Sequence, residues 1–283
     1  MTIQDQTAAL RRVYVRPPIA SDLREWRSYG WHAEPDPGRA ADEHAAFREE
    51  LARAGAEVAT GAAPAPGDPD AIYAYDPTLL TDAGAILLRS GKPARRGEAE
   101  AMGSDLASLG VPIAGRLESP GTADGGDLFW LGPSTLAAGV GYRTNESGIA
   151  QLRELLGPSI EVLAFDLPHF HGPDECLHLM SFVSPLAPDL AVAFLPMMPV
   201  RLLARMRDRN IEVVEVPEEE FATMGPNVLA LAPRVALALE GNDGTRRRME
   251  AAGVDVRTYA GDEISRKGDG GPTCLTQPLL RAG

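Results

Sequence analysis

Leu106-Ala-Ser-Leu-Gly-Val-Pro-Ile113 reads as the end of a helix passing into a strand. An apolar residue faces the core, a glycine lets the chain leave the helix, and a short apolar run follows. Glycine or asparagine is expected there because the residue after the last turn must go left-handed. The pattern returns as Leu51-Ala-Arg-Ala-Gly-Ala-Glu-Val58, Met206-Arg-Asp-Arg-Asn-Ile-Glu-Val213 and Met249-Glu-Ala-Ala-Gly-Val-Asp-Val256, and more loosely from Leu152 to Val162. Between these segments lie pairs of apolar runs separated by turn residues, which read as hairpins. Ile72–Leu80 faces Ala85–Leu88, Leu128–Leu131 faces Thr135–Val140, Ser181–Ser184 faces Leu190–Leu195, and Val228–Leu231 faces Val235–Leu239.

The repeat is strand, strand, helix, strand, about five times at a period of roughly 50 residues. One unit cannot bury its own apolar face, but a closed ring of five can. The expected fold is therefore an α/β ring with sheets inside and helices outside. An open doubly wound sheet is the rival, and the hairpins oppose it, since parallel sheets read as single strands alternating with helices. No G-x-G-x-x-G or Walker-type loop is present. In such a ring, residues distant in sequence meet at the axis.

The 283 residues suffice for a large core, and 44% hydrophobic with 24% charged residues suits a globular protein. A net charge of −13 argues against nucleic acid or an anionic membrane as partner and suits a small cation, although solubility explains it as well. Two cysteines, Cys176 and Cys274, are too few for a disulfide framework. The polar first ten residues lack the apolar core of a signal peptide, and no apolar run approaches the roughly 18 residues of a membrane span. A cytoplasmic protein is expected.

Candidate site residues are scattered. In Gly270-Gly271-Pro272-Thr273-Cys274, a turn delivers a lone thiol to an apolar run that Pro278 is read as closing; a small buried hydrophobe is the bland alternative. Asp124-Gly125-Gly126-Asp127 places two carboxylates about a flexible pair, either as an ordinary turn or with Asp124 orienting an imidazole and Asp127 bracing backbone. His178 stands at the entry to an apolar strand, where a core histidine is the usual finding. Asp70 and Asp76 could hold a guanidinium, which donates paired hydrogen bonds to a carboxylate. Arg95, Arg96 and Arg143 could bind a carboxylate or lie on the surface. His169, His171, Cys176 and His178 also look like metal ligands, but their spacing fits neither zinc-finger nor HExxH patterns.

Together these residues resemble the guanidine-modifying pentein superfamily, dimethylarginine dimethylaminohydrolase more nearly than arginine deiminase or the amidinotransferases. The resemblance runs in order from Asp70 to the C-terminus. Pro69-Asp70 and Tyr75-Asp76 look like the substrate carboxylates. Arg89-Ser-Gly-Lys-Pro-Ala-Arg95-Arg96 is similar to R-P-G-x-x-x-R-R. Asp124-Gly-Gly-Asp127 matches D-G-G-D, Arg143-Thr144-Asn145 matches R-T-N, Leu177-His178-Leu179 matches L-H-L, and Thr273-Cys274 matches the nucleophile. Two positions depart: Tyr75 replaces an acid of the dimethylarginine group, and Met180 replaces its lysine or the aspartate of deiminases.

The resemblance implies a five-bladed α/β propeller, with residues 1–283 as one catalytic domain. It implies Cys274 as nucleophile, His178 as acid and base, and Asp124 as its orienting partner. Asp70 and Asp76 would hold the guanidinium, Arg95 and Arg143 the substrate carboxylate, and Tyr29-Gly30-Trp31-His32 would form a lid. The expected substrate is a small cationic guanidino compound, with no organic cofactor or metal; a homodimer is one candidate assembly. Amidino transfer, a Cys/His metal-binding protein and a non-catalytic binding protein remain as alternatives.

Overall fold

Fifteen strands and five α-helices alternate in the computed structural model, which describes residues 3–63, 65–173, 175 and 177–282. Cys176 lies outside the described residues. The chain begins with β1 (Ala9–Val15), α1 (Pro37–Arg53) and β2 (Glu57–Thr60). Next come β3 (Thr78–Thr81), β4 (Gly84–Leu87), α2 (Glu98–Ser108) and β5 (Ile113–Arg116). The second full unit is β6 (Leu128–Gly132), β7 (Thr135–Val140), α3 (Glu146–Leu156) and β8 (Glu161–Asp166). The third is β9 (Val183–Ala187), β10 (Leu190–Ala193), α4 (Val200–Asp208) and β11 (Glu212–Glu215). The fourth is β12 (Val228–Ala232), β13 (Val235–Leu239), α5 (Asp243–Ala251) and β14 (Asp255–Tyr259), and β15 (Gln277–Ala282) ends the chain.

In each full unit the first two strands pair antiparallel, and the strand after the helix returns parallel to the second. A short turn suffices for the antiparallel pair, whereas the parallel return needs the helical crossover. The fifth unit is split between the chain ends: β15 pairs antiparallel with β1, and β2 runs parallel to β1. The result is five three-stranded sheets, as the five-fold repeat requires and as the five-bladed propeller implied by the resemblance would have.

The recurring segments behave as their residues dictate. Leu51, Leu106, Leu152, Met206 and Met249 are all at most 1% exposed. All but Leu152 stand two residues before the helix end, and truncating one to alanine would cost about 2–5 kcal/mol. Gly55, Gly110, Gly157, Asn210 and Gly253 follow the five helices with positive φ, between 56° and 90°. Two N-termini are capped by side chains, α1 by Asp36 and α3 by Asn145.

Three differences from the sequence reading have local causes. Of the expected 72–80 strand only Thr78–Leu80 is extended, within β3, because Pro69 opens a helical turn over Pro69–Ile72 and a further turn follows it. The strand expected at 181–184 begins at Val183, since Ser181 N donates to His178 O in a preceding turn. Pro278 does not close the run after Cys274 but lies inside β15 opposite Val13, at a register shift. An edge strand tolerates its missing N–H.

Side chains on the first strands lace neighbouring units together. Trp130 Nε1 donates to Leu80 O at 3.2 Å, Ser184 Oγ to Pro226 O at 2.7 Å, and Arg281 Nη1 to Ala230 O at 2.9 Å. Among the described residues no helix is long and apolar enough to cross a membrane.

Candidate active site

The loops entering the five first strands carry Asp76 before β3, Asp124 and Asp127 before β6, His178 before β9, Asn227 before β12, and Cys274 before β15. Hydrogen bonds tie these loops into a closed circuit. Tyr75 N donates to Cys274 O at 3.1 Å, and Gly125 N donates to Asp76 O at 2.9 Å. Leu179 N donates to Asp127 Oδ1 at 2.9 Å. Ser184 links to Pro226, and Asn227 Nδ2 returns to Cys274 Sγ at 3.2 Å. The scattered candidates are therefore neighbours because each occupies an equivalent place in its unit.

His178 lies between two buried carboxylates, with Nε2 at 3.2 Å from Asp124 Oδ2 and Nδ1 at 3.9 Å from Asp76 Oδ1. Asp124 also meets Arg143 Nη2 at 2.6 Å and accepts Gly91 N at 3.2 Å. Burial opposes its charge, but Arg143 and then His178 hold its pKa well below the usual carboxylate range. Asp76 accepts Gly126 N at 2.8 Å and Arg95 Nη1 at 2.6 Å. Burial again opposes ionisation, and His178 followed by Arg95 lowers its pKa. Gly126 is needed here: a Cβ would stand 2.4 Å from His178 Nδ1 and 3.0 Å from Asp76 Oδ1.

Asp127 braces backbone rather than facing the imidazole. It takes Leu179 N and, at 2.6 Å, Thr144 Oγ1, and burial pushes its pKa up to about 6.

Arg95 is placed differently from the sequence expectation. It is 3% exposed and committed to carboxylates: both Nε and Nη2 go to Glu98, and Nη1 goes to Asp76. Its Nε also stands 3.7 Å from Asp70, and Nη2 reaches the carbonyls of Asp70 and Tyr73 at 3.4 Å. Little donor capacity remains for a substrate carboxylate. Burial opposes its charge, but Glu98, Asp76 and Asp70 outweigh this and raise its pKa. The Arg95-x-x-Glu98 spacing at the start of α2 carried that signal.

Asp70 accepts Trp31 Nε1 at 2.8 Å and Lys92 Nζ at 2.7 Å. Lys92 also donates to Tyr29 O at 2.7 Å and lies over the Tyr29 ring. The Tyr29–Trp31 stretch thus covers the Asp70 side of the site, and His32 Nε2 meets Asp269 Oδ2 at 2.6 Å, just ahead of the Cys274 turn. Tyr75 points away, its hydroxyl donating to Leu128 O and accepting from Gln6. Met180 is 4% exposed within an apolar cluster that includes Phe182, Phe194 and Met198. Trp31 lay in the expected lid stretch; Lys92, Glu98 and Asn227 were not singled out.

The side chains close enough to share an ion, among the described residues, are Asp76, Asp124 and His178. Their carboxylates already face the guanidinium groups of Arg95 and Arg143, which a divalent cation would meet as like charge. His169 and His171 do not join this group: His169 Nδ1 lies 2.6 Å from the Tyr142 hydroxyl, and His171 packs on the Phe170 ring. Among the described residues the three histidines of the metal-ligand alternative are therefore not gathered, and its Cys176 lies outside them.

A family model for arginine deiminase matches residues 67–203 and 198–281. The chain belongs to the arginine deiminase family. It is 27% identical over 246 residues to the N(G),N(G)-dimethylarginine dimethylaminohydrolase of Pseudomonas aeruginosa, covering 86% of this chain and 89% of that one. It is also 27% identical over 257 residues to the arginine deiminase of Listeria welshimeri, covering 75% of this chain, but it spans only 62% of that enzyme's length. Among solved structures, a mutant of the P. aeruginosa dimethylarginine enzyme complexed with citrulline superposes with a TM-score of 0.77 at 24% identity, over 97% of this chain and 100% of that one. The N-terminal domain of ArgZ, a cyanobacterial arginine dihydrolase, bound to product, gives 0.80 at 20% identity over 95% and 97%. SxtG, an amidinotransferase from Microseira wollei, gives 0.79 at 18% over 99% and 96%. The pentein resemblance and the propeller are thereby shown. The relatives carry out hydrolysis and amidino transfer on one scaffold.

Proposed function

We propose that this member of the arginine deiminase family is a cysteine-dependent hydrolase acting on the guanidino carbon of arginine or N-methylated arginine. The observation that carries the reading is His178 held between two buried carboxylates, in the same ring of loops that holds Cys274. The thiolate of Cys274 attacks the guanidino carbon. The C–N bond to the departing amine breaks as His178 gives that nitrogen a proton, leaving a thiouronium on sulfur. His178 then takes a proton from water, the oxygen attacks the same carbon, and the C–S bond breaks to release citrulline and regenerate the thiolate. Asp124 keeps the imidazole oriented and favours its charged form.

Asp76 and Asp70 hold the guanidinium. Arg95, placed among Asp76, Asp70 and Glu98, fixes those carboxylates, and Arg143 takes the carboxylate of the amino acid. A cationic substrate suits a cluster rich in acid, where Asp68, Asp70, Asp76 and Glu98 surround Arg95 and Lys92. The chemistry needs no metal or organic cofactor.

Methionine at 180 offers no carboxylate two residues beyond His178 to demand bare N–H groups. Burying a methyl group is worth about 0.8 kcal/mol, and leaving a guanidinium N–H unpaired costs roughly 1–3 kcal/mol. Methylated arginines should therefore exceed free arginine in kcat/KM by one to two orders of magnitude, at about 1.4 kcal/mol per tenfold. Product analysis on a panel of guanidino compounds tests this, with citrulline plus methylamine or dimethylamine expected. Faster turnover of arginine, or an absolute need for an amine acceptor, would assign the chain to deimination or amidino transfer instead.

A further inference from the structure

Four of the five loops bring Asp76, Asp124, His178 and Cys274 to the axis; the loop before β12 brings Asn227, to which the proposed chemistry gives no part. Asn227 is 6% exposed. Its Oδ1 accepts Thr273 N at 3.2 Å, and its Nδ2 donates to Cys274 Sγ at 3.2 Å. The amide can face only one way: Thr273 N–H must meet the oxygen, so the NH2 faces sulfur. The turn is built against this side chain, since a Cβ on Gly271 would stand 2.5 Å from Asn227 Cγ and Oδ1. Thr273 Oγ1 adds a bond to Val228 O at 3.1 Å.

We propose that Asn227 is the positioning residue for the Cys274 sulfur, its amide N–H fixing the thiol and favouring the thiolate. This rests on the reading of Cys274 as nucleophile. A donor aimed at sulfur stabilises the anion more than the neutral thiol. Tyr73, Tyr75 and Tyr259 lie close enough for the thiolate to oppose their ionisation, and Asp269 stands on the same loop. His178 belongs to the same ring of loops. A neutral amide suits this place better than lysine or arginine would, because it favours the thiolate without repelling a guanidinium.

The test uses a Cys176→Ala background, so that one thiol titrates, and follows thiolate absorbance and the pH profile of kcat/KM. Asn227→Asp keeps an oxygen for Thr273 N but replaces the donor to sulfur with a carboxylate. The Cys274 pKa should rise by at least about one unit, a tenfold change in the thiol–thiolate equilibrium, and the acid limb of kcat/KM should move up in pH with it. Asn227→Ala, which buries no new charge, should move the pH dependence of Cys274 alkylation by iodoacetamide in the same direction by a smaller amount. Unmoved titration, alkylation and pH profile, with a rate lowered equally at every pH, would reduce Asn227 to a scaffold for the loop and overturn the proposal. Wild-type turnover by Cys274→Ser would instead sink the nucleophile reading, and the thiol titration would still report on Asn227.

Discussion

Arg95 and Arg281 are both buried, at 3% and 1% exposure, yet their surroundings push them in opposite directions. Arg95 lies among Glu98, Asp76 and Asp70, which raise its pKa despite burial. Arg281, on β15, donates Nη1 to the carbonyls of Ala8 at 2.7 Å and Ala230 at 2.9 Å. Burial lowers its pKa to about 10, and Tyr75 and Asp5 oppose this only in part. Beside it, Gln6, Tyr75 and Gln277 line a cavity of about 20 Å³, room for roughly one water. One arginine organises charge at the site; the other joins the split unit to its neighbour. Burial alone does not say which task a buried arginine performs; its partners do.

Removing each arginine should separate the two tasks. Arg95→Met leaves Asp76 and Glu98 without their cation, a loss of about 3–5 kcal/mol for a broken buried pair. That loss falls on folding stability; turnover should fall separately, by at least about tenfold (about 1.4 kcal/mol in the barrier), because Asp76 is no longer held in place. The acid limb of activity should also move to higher pH, because Arg95 helps hold the Asp76 pKa down. Asp76 in the parent contributes stability above its unfolded pKa and loses it as pH falls through its depressed folded value; the variant should lose it at higher pH.

Arg281→Met should cost about 2–4 kcal/mol in urea unfolding, from two carbonyls left unpaired, with kcat/KM kept within about twofold. Equal damage to turnover from both variants would erase the distinction.

Asp68, beside Arg95 and Glu98, should give the smallest effect. Burial raises its pKa to about 6, so the folded state holds this proton more tightly than the unfolded chain. The contribution is complete below the unfolded pKa of about 4 and is lost as pH rises through about 6. Asp68→Asn stays neutral and should gain at most about 3 kcal/mol on the parent at pH 8, from about two units at about 1.4 kcal/mol each, with the difference vanishing as pH falls below about 4. An unchanged gap across that range would show that burial does not hold the proton on Asp68.

Much of the ring was legible because its rules are local. A buried Leu or Met followed by a left-handed Gly or Asn marked every helix end, and turn residues marked four hairpins. The fifth hairpin was not, because β15 and β1 lie at opposite ends of the chain and no local pattern joins them. The convergence of Asp76, Asp124, His178 and Cys274 was readable in order, but partners were harder. Arg95 read as a carboxylate anchor although Glu98 three residues on was a local signal, because its pairing with Asp76 across 19 residues leaves no local pattern. Asn227 hid in Gly225-Pro226-Asn227, which reads as any turn would.

The central claim is a covalent step at Cys274, and acid-quenched peptide mapping during turnover of a methylated arginine tests it most directly. The account predicts a thiouronium mass on the Cys274 peptide at early times, its disappearance as substrate is exhausted, and no citrulline from Cys274→Ser. Steady citrulline production by Cys274→Ser, or an adduct on another residue, would contradict it.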